Sequence, residues 1–160
     1  MYWLITDTHF GDAEQLLAHK RPANFDARII ENWQKNIKQE DVVIHLGDLA
    51  ATKKDLAIFA QLPGKKVLVL GNHDDLATEV YEKAGFLLVC FSLCLPYAGK
   101  CLLLSHEPVS ELGKADINIH GHLHSLEQKS PQHLPLALEY NAYAPWRLDK
   151  LVRDFENNTI

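Results

Sequence analysis

Three histidines stand at alternate positions in the stretch INIHGHLH, which covers residues 117–124. They are His120, His122 and His124. In an extended chain the side chains of alternate residues point to one face, so the three imidazoles are expected to lean the same way. Neutral imidazole is the commonest protein ligand for metals. The stretch therefore predicts either a metal site or a group of histidines held by structural hydrogen bonds.

Residues of metal-binding types also follow the other apolar segments of the chain. A single residue of this kind beside a strand is more often structural. Five successive apolar segments that all run into Asp, Asn or His indicate a shared site. The candidate metal ligands are Asp7, His9, Asp48, Asn72, His106, His122 and His124, and His73 and Asp74 continue directly from Asn72.

The ligand types narrow the choice of metal. Imidazole, carboxylate and amide oxygen without thiolate suit Mn²⁺ best, with Fe, Zn²⁺ or Ni²⁺ as alternatives. Seven ligands are too many for one ion, but they suit two divalent ions about 3.5–4 Å apart that share a carboxylate. Asp48 is the natural bridge, since a carboxylate has two oxygens to offer. With Asp7, Asp48 and a bridging hydroxide, two such ions keep a formal charge of about +1, which attracts phosphate oxygens.

Short apolar segments alternate with amphipathic ones along the chain, and this pattern predicts the elements that position the ligands. Strand followed by helix is typical of a layered α/β fold, in which chemistry gathers at the carboxyl ends of the strands. Strands are predicted within 2–5, 41–48, 65–74, 86–105, 115–124 and 136–144, and helices within 26–39, 52–62, 76–85 and 148–155.

The ordered motifs resemble those of the calcineurin-like metallophosphoesterase superfamily. The short length of the chain, with RP at 21–22 and YNAY at 140–143, is similar to a small bacterial and phage-type branch of that superfamily. The motifs that carry the resemblance are DTH at 7–9, GD at 47–48, GNHD at 71–74, SHEP around His106 and GHLH at 121–124.

The resemblance implies one domain over residues 1–160, folded as a four-layer αββα sandwich around a dinuclear centre. It assigns His73 to a place off the metals, where it stabilises the transition state or protonates the leaving oxygen, and Asp74 to orienting His73. By the same resemblance, Asp7, His9 and His124 hold the first metal, Asn72, His106 and His122 hold the second, and Asp48 bridges both. None of these positions is substituted in this sequence.

Such a site is expected to hydrolyse a phosphomonoester or a phosphodiester. A hydroxide that bridges the two ions would attack phosphorus in line, while the ions offset the charge that develops on the oxygens. Two alternatives stay open. One is a non-catalytic scaffold on the same fold, as in the retromer subunit with a phosphoesterase fold. The other is a metal-dependent nuclease.

Composition favours a small phosphorylated substrate over nucleic acid. The net charge of the 160 residues is −5, and no basic run is present to bind a polyanion. No apolar stretch approaches the roughly 18 residues of a membrane span, so no membrane partner is expected. The three cysteines are odd in number and predict buried, reduced thiols in a cytoplasmic protein. The oligomeric state is left open.

Several further residues near the motifs have two interpretations each. Arg21 is a candidate for binding substrate phosphate, since its guanidinium is a planar bidentate donor. The alternative is that residues 19–21 form a solvated basic turn. His45 and His120 are expected to support the metal ligands from behind or to lie in the core, and direct binding of a metal is the alternative.

Overall fold

The structure, a computed structural model, describes residues 1–157 of the chain. Residues 158–160 of the predicted domain lie outside the described part. Two short 3₁₀ turns, Ala57–Gln61 and Leu138–Asn141, interrupt the regular elements. In chain order these elements are β1 (Tyr2–Ile5), α1 (Ala13–Ala18), α2 (Phe25–Asn36), β2 (Val42–His45), α3 (Lys53–Leu56), β3 (Lys65–Val69), α4 (Thr78–Lys83), β4 (Phe86–Cys90), β5 (Ser92–Tyr97), β6 (Lys100–Ser105), β7 (Ile117–His120), β8 (His133–Pro135), β9 (Trp146–Arg147) and α5 (Leu148–Glu156).

The first sheet has the strand order β4-β3-β2-β1-β9. Strands β1 to β4 are parallel, with Leu4 opposite Ile44 and Ile44 opposite Val67, and β9 joins antiparallel to β1. Parallel neighbours require crossover connections, and helices α1 to α4 lie in those connections. The carboxyl ends of β1, β2 and β3 therefore meet at one edge of the sheet.

The second sheet has the order β5-β6-β7-β8. A tight turn joins β5 to β6, and Gly99 takes a φ of +79° there, which an L side chain rarely adopts. Strands β6, β7 and β8 are parallel, and Ser105 at the end of β6 lies opposite His120 at the end of β7. The loops after β6 and β7 thus leave the sheet on the same side.

Strand alternation sorts the apolar side chains into two cores. Trp3 and Ile5 of β1 pack in the cluster that includes Ile29 and Trp33 of α2, whereas Leu4 packs in the other cluster with strand residues of the second sheet. Helix α5 joins this second cluster. The α/β class and the sandwich of two sheets predicted from the sequence are confirmed.

The outer face of the second sheet is covered in part by segment 106–116, in which the structure places no helix. The backbone N–H of Val109 donates to Asn118 Oδ1 at 3.0 Å, and the carbonyl of Val109 lies 2.8 Å from His133 Nε2. Asn118 is fully buried beneath this segment. A segment without a helix or strand therefore covers this part of the second sheet.

One prediction of local structure was wrong, and one helix was missed. The predicted strand over 136–144 contains a 3₁₀ turn, and Ala142 and Tyr143 have φ values of +49° and +61°, which end an extended chain. Helix α1 was not predicted, since its six residues are too few to show a clear apolar period.

Across residues 1–157, each helix is too short or too polar to span a membrane.

The cysteines are less buried than the sequence led us to expect. Cys94 is exposed, because it points outward from the edge strand β5, and Cys90 and Cys101 are only half-buried. All three thiols are free, as predicted.

Candidate metal centre

The loops that carry the predicted ligands are bonded to one another at the shared edge of the sandwich. The backbone N–H of Asp7 donates to the carbonyl of Gly47 at 2.9 Å, and the N–H of His9 donates to the carbonyl of Asp48 at 3.0 Å. In the second sheet, the N–H of Gly121 donates to the carbonyl of His106 at 2.9 Å. These bonds continue the strand pairing past the strand ends and bring the predicted ligands together.

One group of donor atoms lies against the end of β1. His9 Nε2 is 4.0 Å from Asp7 Oδ1 and 3.5 Å from Asp48 Oδ2, and His124 Nε2 is 3.7 Å from Asp7 Oδ1. The ligand atoms of Asp7, His9 and His124 all lie within 4.8 Å of one another. This is the set predicted for the first metal.

A second group lies beside it and includes an amide oxygen. Asn72 Oδ1 is 2.9 Å from His106 Nε2 and 3.0 Å from His122 Nδ1, and the two ring nitrogens are 3.2 Å apart. Neighbouring ligands of an ion with bonds of about 2.0–2.2 Å lie roughly 3 Å apart, so this spacing suits a single ion. These are the residues predicted for the second metal.

Asp48 lies between the two groups. Its Oδ2 is 3.5 Å from His9 Nε2 and 3.4 Å from His106 Nε2, while its Oδ1 accepts the backbone N–H of His73 at 3.0 Å. Asp48 is therefore within reach of both donor groups, as a shared ligand would have to be.

Two orphaned buried atoms test whether these residues fit a cation. Asp7 Oδ1 and His9 Nε2 are buried and have no hydrogen-bond partner. Burial raises the pKa of Asp7, and burial followed by the charge of Arg21 lowers the pKa of His9 to about 2. A buried carboxylate oxygen and a buried imidazole nitrogen that lack hydrogen-bond partners are costly, unless a cation binds them. The residues fit divalent metal ions.

Outer hydrogen bonds set the tautomers of two ligands. His106 Nδ1 lies 2.7 Å from the carbonyl of Leu46, and His124 Nδ1 lies 3.1 Å from Glu139 Oε1. Because a carbonyl and a carboxylate can only accept, each Nδ1 carries the proton. The Nε2 lone pairs of His106 and His124 are thereby directed into the site, as metal ligation requires.

The ligand loops have strained backbones. Non-glycine residues with positive φ are uncommon and tend to collect at functional sites. Here Asp7, His9, Asp48, His122 and His124 all have φ values between +44° and +67°. Five of the seven candidate ligands therefore hold their side chains in place from a left-handed backbone.

Gly121 allows the loops to approach closely. A Cβ at this position would overlap Thr6 Oγ1 and Asp7 Oδ2. We expect Gly121→Ala to displace Asp7 and to weaken Mn²⁺ binding by about tenfold or more. Mutation of residues that position metal ligands commonly lowers metal affinity by this much. Gly113→Ala is the control for backbone strain away from the site, because Gly113 has a φ of +61° but its Cβ would meet no atom within 4 Å. Titration of metal-stripped protein with Mn²⁺ measures both variants, and wild-type affinity in Gly121→Ala would contradict the prediction.

His73 lies at the mouth of the site, off the two donor groups. Its side chain is 52% exposed, and its Nε2 is 4.0 Å from Asp48 Oδ2. Its ring meets the His9 ring edge-on, with 5.5 Å between the centroids. An open groove of about 300 Å³ lies on this side of the site and is lined by His9, Asp12, Ala51 and His73, among others.

The sequence analysis expected Asp74 to orient His73, but its carboxylate binds backbone N–H groups instead. Its Oδ2 accepts the backbone N–H groups of Asp48 at 2.7 Å and Gly71 at 2.8 Å, and its Oδ1 accepts that of Leu49 at 3.1 Å. Burial raises the pKa of Asp74 in spite of these donors, which lower it. The carboxylate instead joins the loop after β2 to the loop after β3, and so positions Asp48.

Arg21 points into the protein, so both sequence-based interpretations of it fail. Its side chain is fully buried, and its guanidinium donates to the carbonyls of Asp7 at 2.8 Å and Thr8 at 3.2 Å. It also pairs with Glu139, a residue that the sequence analysis missed. The available signal was that Glu139 is the single acid between positions 128 and 148. The donors of Arg21 are used inside the fold and do not face a substrate.

Three further histidines lie around the site. His45 accepts the N–H of Gly47 at 3.1 Å and lies 3.0 Å from Thr8 Oγ1, and burial lowers its pKa to about 3. His120 is fully buried, with Nδ1 3.0 Å from the carbonyl of Gly121, and burial lowers its pKa to about 4. The ring of His19 stacks on that of His124 at 3.7 Å between centroids.

The chain is similar to several proteins along nearly its whole length. It is 27% identical to an uncharacterized protein of Methanocaldococcus jannaschii, over 99% of this chain and 93% of that protein. A structure of a protein of unknown function from Aquifex aeolicus matches with a TM-score of 0.78 and 27% identity, over 96% of this chain and 98% of the other. An archaeal phosphodiesterase shares the fold, with a TM-score of 0.53 and 18% identity, over 85% and 81% of the two chains.

The family comparison agrees with the motifs and with the fold. The model of the calcineurin-like phosphoesterase superfamily domain matches residues 2–137, which include all seven candidate ligands and His73. The chain therefore belongs to the calcineurin-like phosphoesterase superfamily.

Proposed function

We propose that the protein is a phosphohydrolase that uses two divalent metal ions to hydrolyse a small phosphomonoester or phosphodiester. Membership of a phosphoesterase superfamily supports the reaction class. The observation that carries the proposal is that the candidate ligands form two neighbouring donor groups, in which two buried atoms, Asp7 Oδ1 and His9 Nε2, have no hydrogen-bond partner. A scaffold would have no use for this arrangement, which is costly without a cation.

When bound, two divalent ions would lower the pKa of water toward neutrality and offset the charge that develops on phosphoryl oxygens. Asp7, His9 and His124 would hold one ion, Asn72, His106 and His122 the other, and Asp48 both. His73 stands in solvent reach at the mouth, where its Nε2 can donate a proton to the leaving oxygen. The groove beside His73 gives the leaving group room to depart.

Mn²⁺ is the ion that we propose first, with Fe, Zn²⁺ or Ni²⁺ as alternatives, because the donors are nitrogen and oxygen without sulfur. A small substrate is favoured over nucleic acid by the net charge of −5. We extend the proposal to a single domain over residues 1–160 and to a cytoplasmic location, which the free thiols of the three cysteines support.

Hydrolysis of p-nitrophenyl phosphate and bis-p-nitrophenyl phosphate by metal-stripped protein tests the proposal. We expect no activity before metal is added, activity after Mn²⁺ is added, and loss of activity when a chelator is added again, because the nucleophile depends on the ions. Failure to hydrolyse either ester with Mn²⁺, Fe²⁺, Zn²⁺ or Ni²⁺ would contradict the proposal and favour a scaffold.

Salt dependence separates the small-molecule enzyme from a nuclease. Binding that neutralises about 6–10 phosphates weakens by roughly 10³- to 10⁵-fold between 50 and 200 mM salt. Turnover of a small ester is expected to change little over the same range. A preferred substrate with the steep dependence would point to a nuclease.

A further inference from the structure

Glu139 makes a short contact with a candidate metal ligand from outside the site. It lies in the 3₁₀ turn Leu138–Asn141, and its Oε1 is 3.1 Å from His124 Nδ1. The same oxygen accepts from Arg21 Nε at 2.8 Å and lies 2.8 Å from Arg21 Nη2. The guanidinium of Arg21 is fully buried, and its two nitrogens beside this oxygen favour the ionised carboxylate.

The contact determines which nitrogen of His124 can bind a metal. An ionised carboxylate only accepts hydrogen bonds, so the nitrogen that faces Glu139 carries the proton. Arg21 Nη2 is farther from the same nitrogen, at 3.4 Å, and its protons are directed to oxygens at 2.8 Å. The other nitrogen, Nε2, then presents its lone pair toward Asp7 Oδ1, which is 3.7 Å away. Carboxylate, histidine and metal in this order is an arrangement that orients the ring and raises its basicity.

Arg21 extends the same support to a second ligand. Its Nη2 donates to the carbonyl of Asp7 at 2.8 Å, and its Nη1 donates to the carbonyl of Thr8 at 3.2 Å. Asp7 has a φ of +51°, so these bonds hold a backbone conformation that is unfavourable by itself. One guanidinium thereby connects the turn that carries Asp7 to the carboxylate that orients His124.

We propose, on the basis of the function proposed above, that Glu139 is a positioning residue that prepares the first metal site by orienting His124, with Arg21 holding Glu139 and the Asp7 turn in register. A contribution to stability alone explains the ion pair between Arg21 and Glu139 poorly. A buried ion pair is weak support for stability, since the cost of removing both charges from water offsets most of their attraction. In addition, Glu139 Oε2 is buried without a hydrogen-bond partner.

Binding of Mn²⁺ to the metal-stripped full chain tests the inference. We expect Glu139→Ala to weaken one of the two binding steps by about 10- to 100-fold and to change the other much less, because His124 is the candidate ligand that contacts Glu139 and Arg21 connects Glu139 to Asp7 of the same group. Glu139→Gln keeps an acceptor oxygen but not the charge, so a smaller loss in the same step is expected. Glu156→Gln is the control, because its pair with Lys100 at 3.3 Å is on the surface.

The tautomer of His124 gives a second readout that involves no metal. In a two-bond ¹H–¹⁵N spectrum of the metal-free protein, the proton of His124 is expected on Nδ1 in wild type and in Glu156→Gln. In Glu139→Ala it is expected to distribute between the two nitrogens, while Glu139→Gln retains most of the wild-type form. A structural role alone would lower the stability of Glu139→Ala without moving this proton.

The possible outcomes separate this inference from the proposed function. Wild-type metal affinity in both Glu139 variants, or an equal loss in both binding steps, would overturn the positioning role even if the wild type hydrolyses esters. A selective loss in one step would support that role even if no ester is hydrolysed. If Glu139→Ala does not fold, Glu139→Gln decides by the same two measurements.

Discussion

Replacing His73 with alanine is expected to lower the turnover of esters with poor leaving groups by about 10²- to 10⁴-fold, the range for loss of a general acid. Metal content is expected to stay at the wild-type level, because the His73 ring is 4.0 Å from Asp48 and belongs to neither donor group. Parallel measurements of turnover and of bound Mn²⁺ in wild type and His73→Ala test both expectations.

The leaving group provides the control for this variant. A p-nitrophenolate ion is a weak base and leaves without a proton. An unsubstituted phenolate is a stronger base, so its departure depends much more on protonation by an acid. If Nε2 of His73 donates the proton, the loss in His73→Ala will be large for the phenyl ester and small for the p-nitrophenyl ester. An equal loss for both esters would assign His73 to charge stabilisation, and wild-type turnover with both would remove it from the mechanism.

Replacing Asp74 with alanine is expected to have the largest effect on stability. The substitution leaves three backbone N–H groups, those of Asp48, Leu49 and Gly71, without their acceptor. At about 1–3 kcal/mol for each unsatisfied buried donor, the free energy of unfolding should fall by roughly 3 kcal/mol or more. Affinity for Mn²⁺ should fall as well, since the Asp74 bonds hold the loop that carries Asp48.

Urea unfolding of the metal-free proteins measures the stability change, with Asp75→Ala as the control. Asp75 is the next residue along the chain and is exposed. Its replacement should change the free energy of unfolding by no more than about 0.5 kcal/mol, as is usual for a surface site. If Asp74→Ala were as stable as Asp75→Ala and lost only turnover, the role first expected for Asp74, orientation of His73, would be favoured again.

The positions of the metal-type residues could be predicted because they depend on local sequence. Each follows an apolar segment, and strand ends in an α/β sheet meet at one edge. Strands β1, β2 and β3 begin and end close to where their apolar residues indicate, so Asp7, Asp48 and Asn72 arrive at the predicted place. Pairing of neighbouring strands then places most of the candidate ligands, and no contact with a distant loop has to be known in advance.

The supporting residues could not be predicted, because their partners are chosen by tertiary packing. Glu139 and His124 are 15 positions apart, and Glu139 and Arg21 are 118 apart. Asp74 was expected to bind its neighbour His73, but three backbone N–H groups at the ends of two strands compete for its carboxylate and win. Such competition depends on which groups are buried together, which a single sequence does not reveal.

Five candidate ligands have left-handed backbones, which are strained for any residue other than glycine. At these positions, the side chain that would serve the proposed catalysis therefore costs the protein stability. Glycine adopts these φ values without strain, so a change from His122 or Asp48 to glycine would relieve strain while it removes a ligand. A descendant that no longer needs metal is therefore expected to tolerate glycine at these five positions.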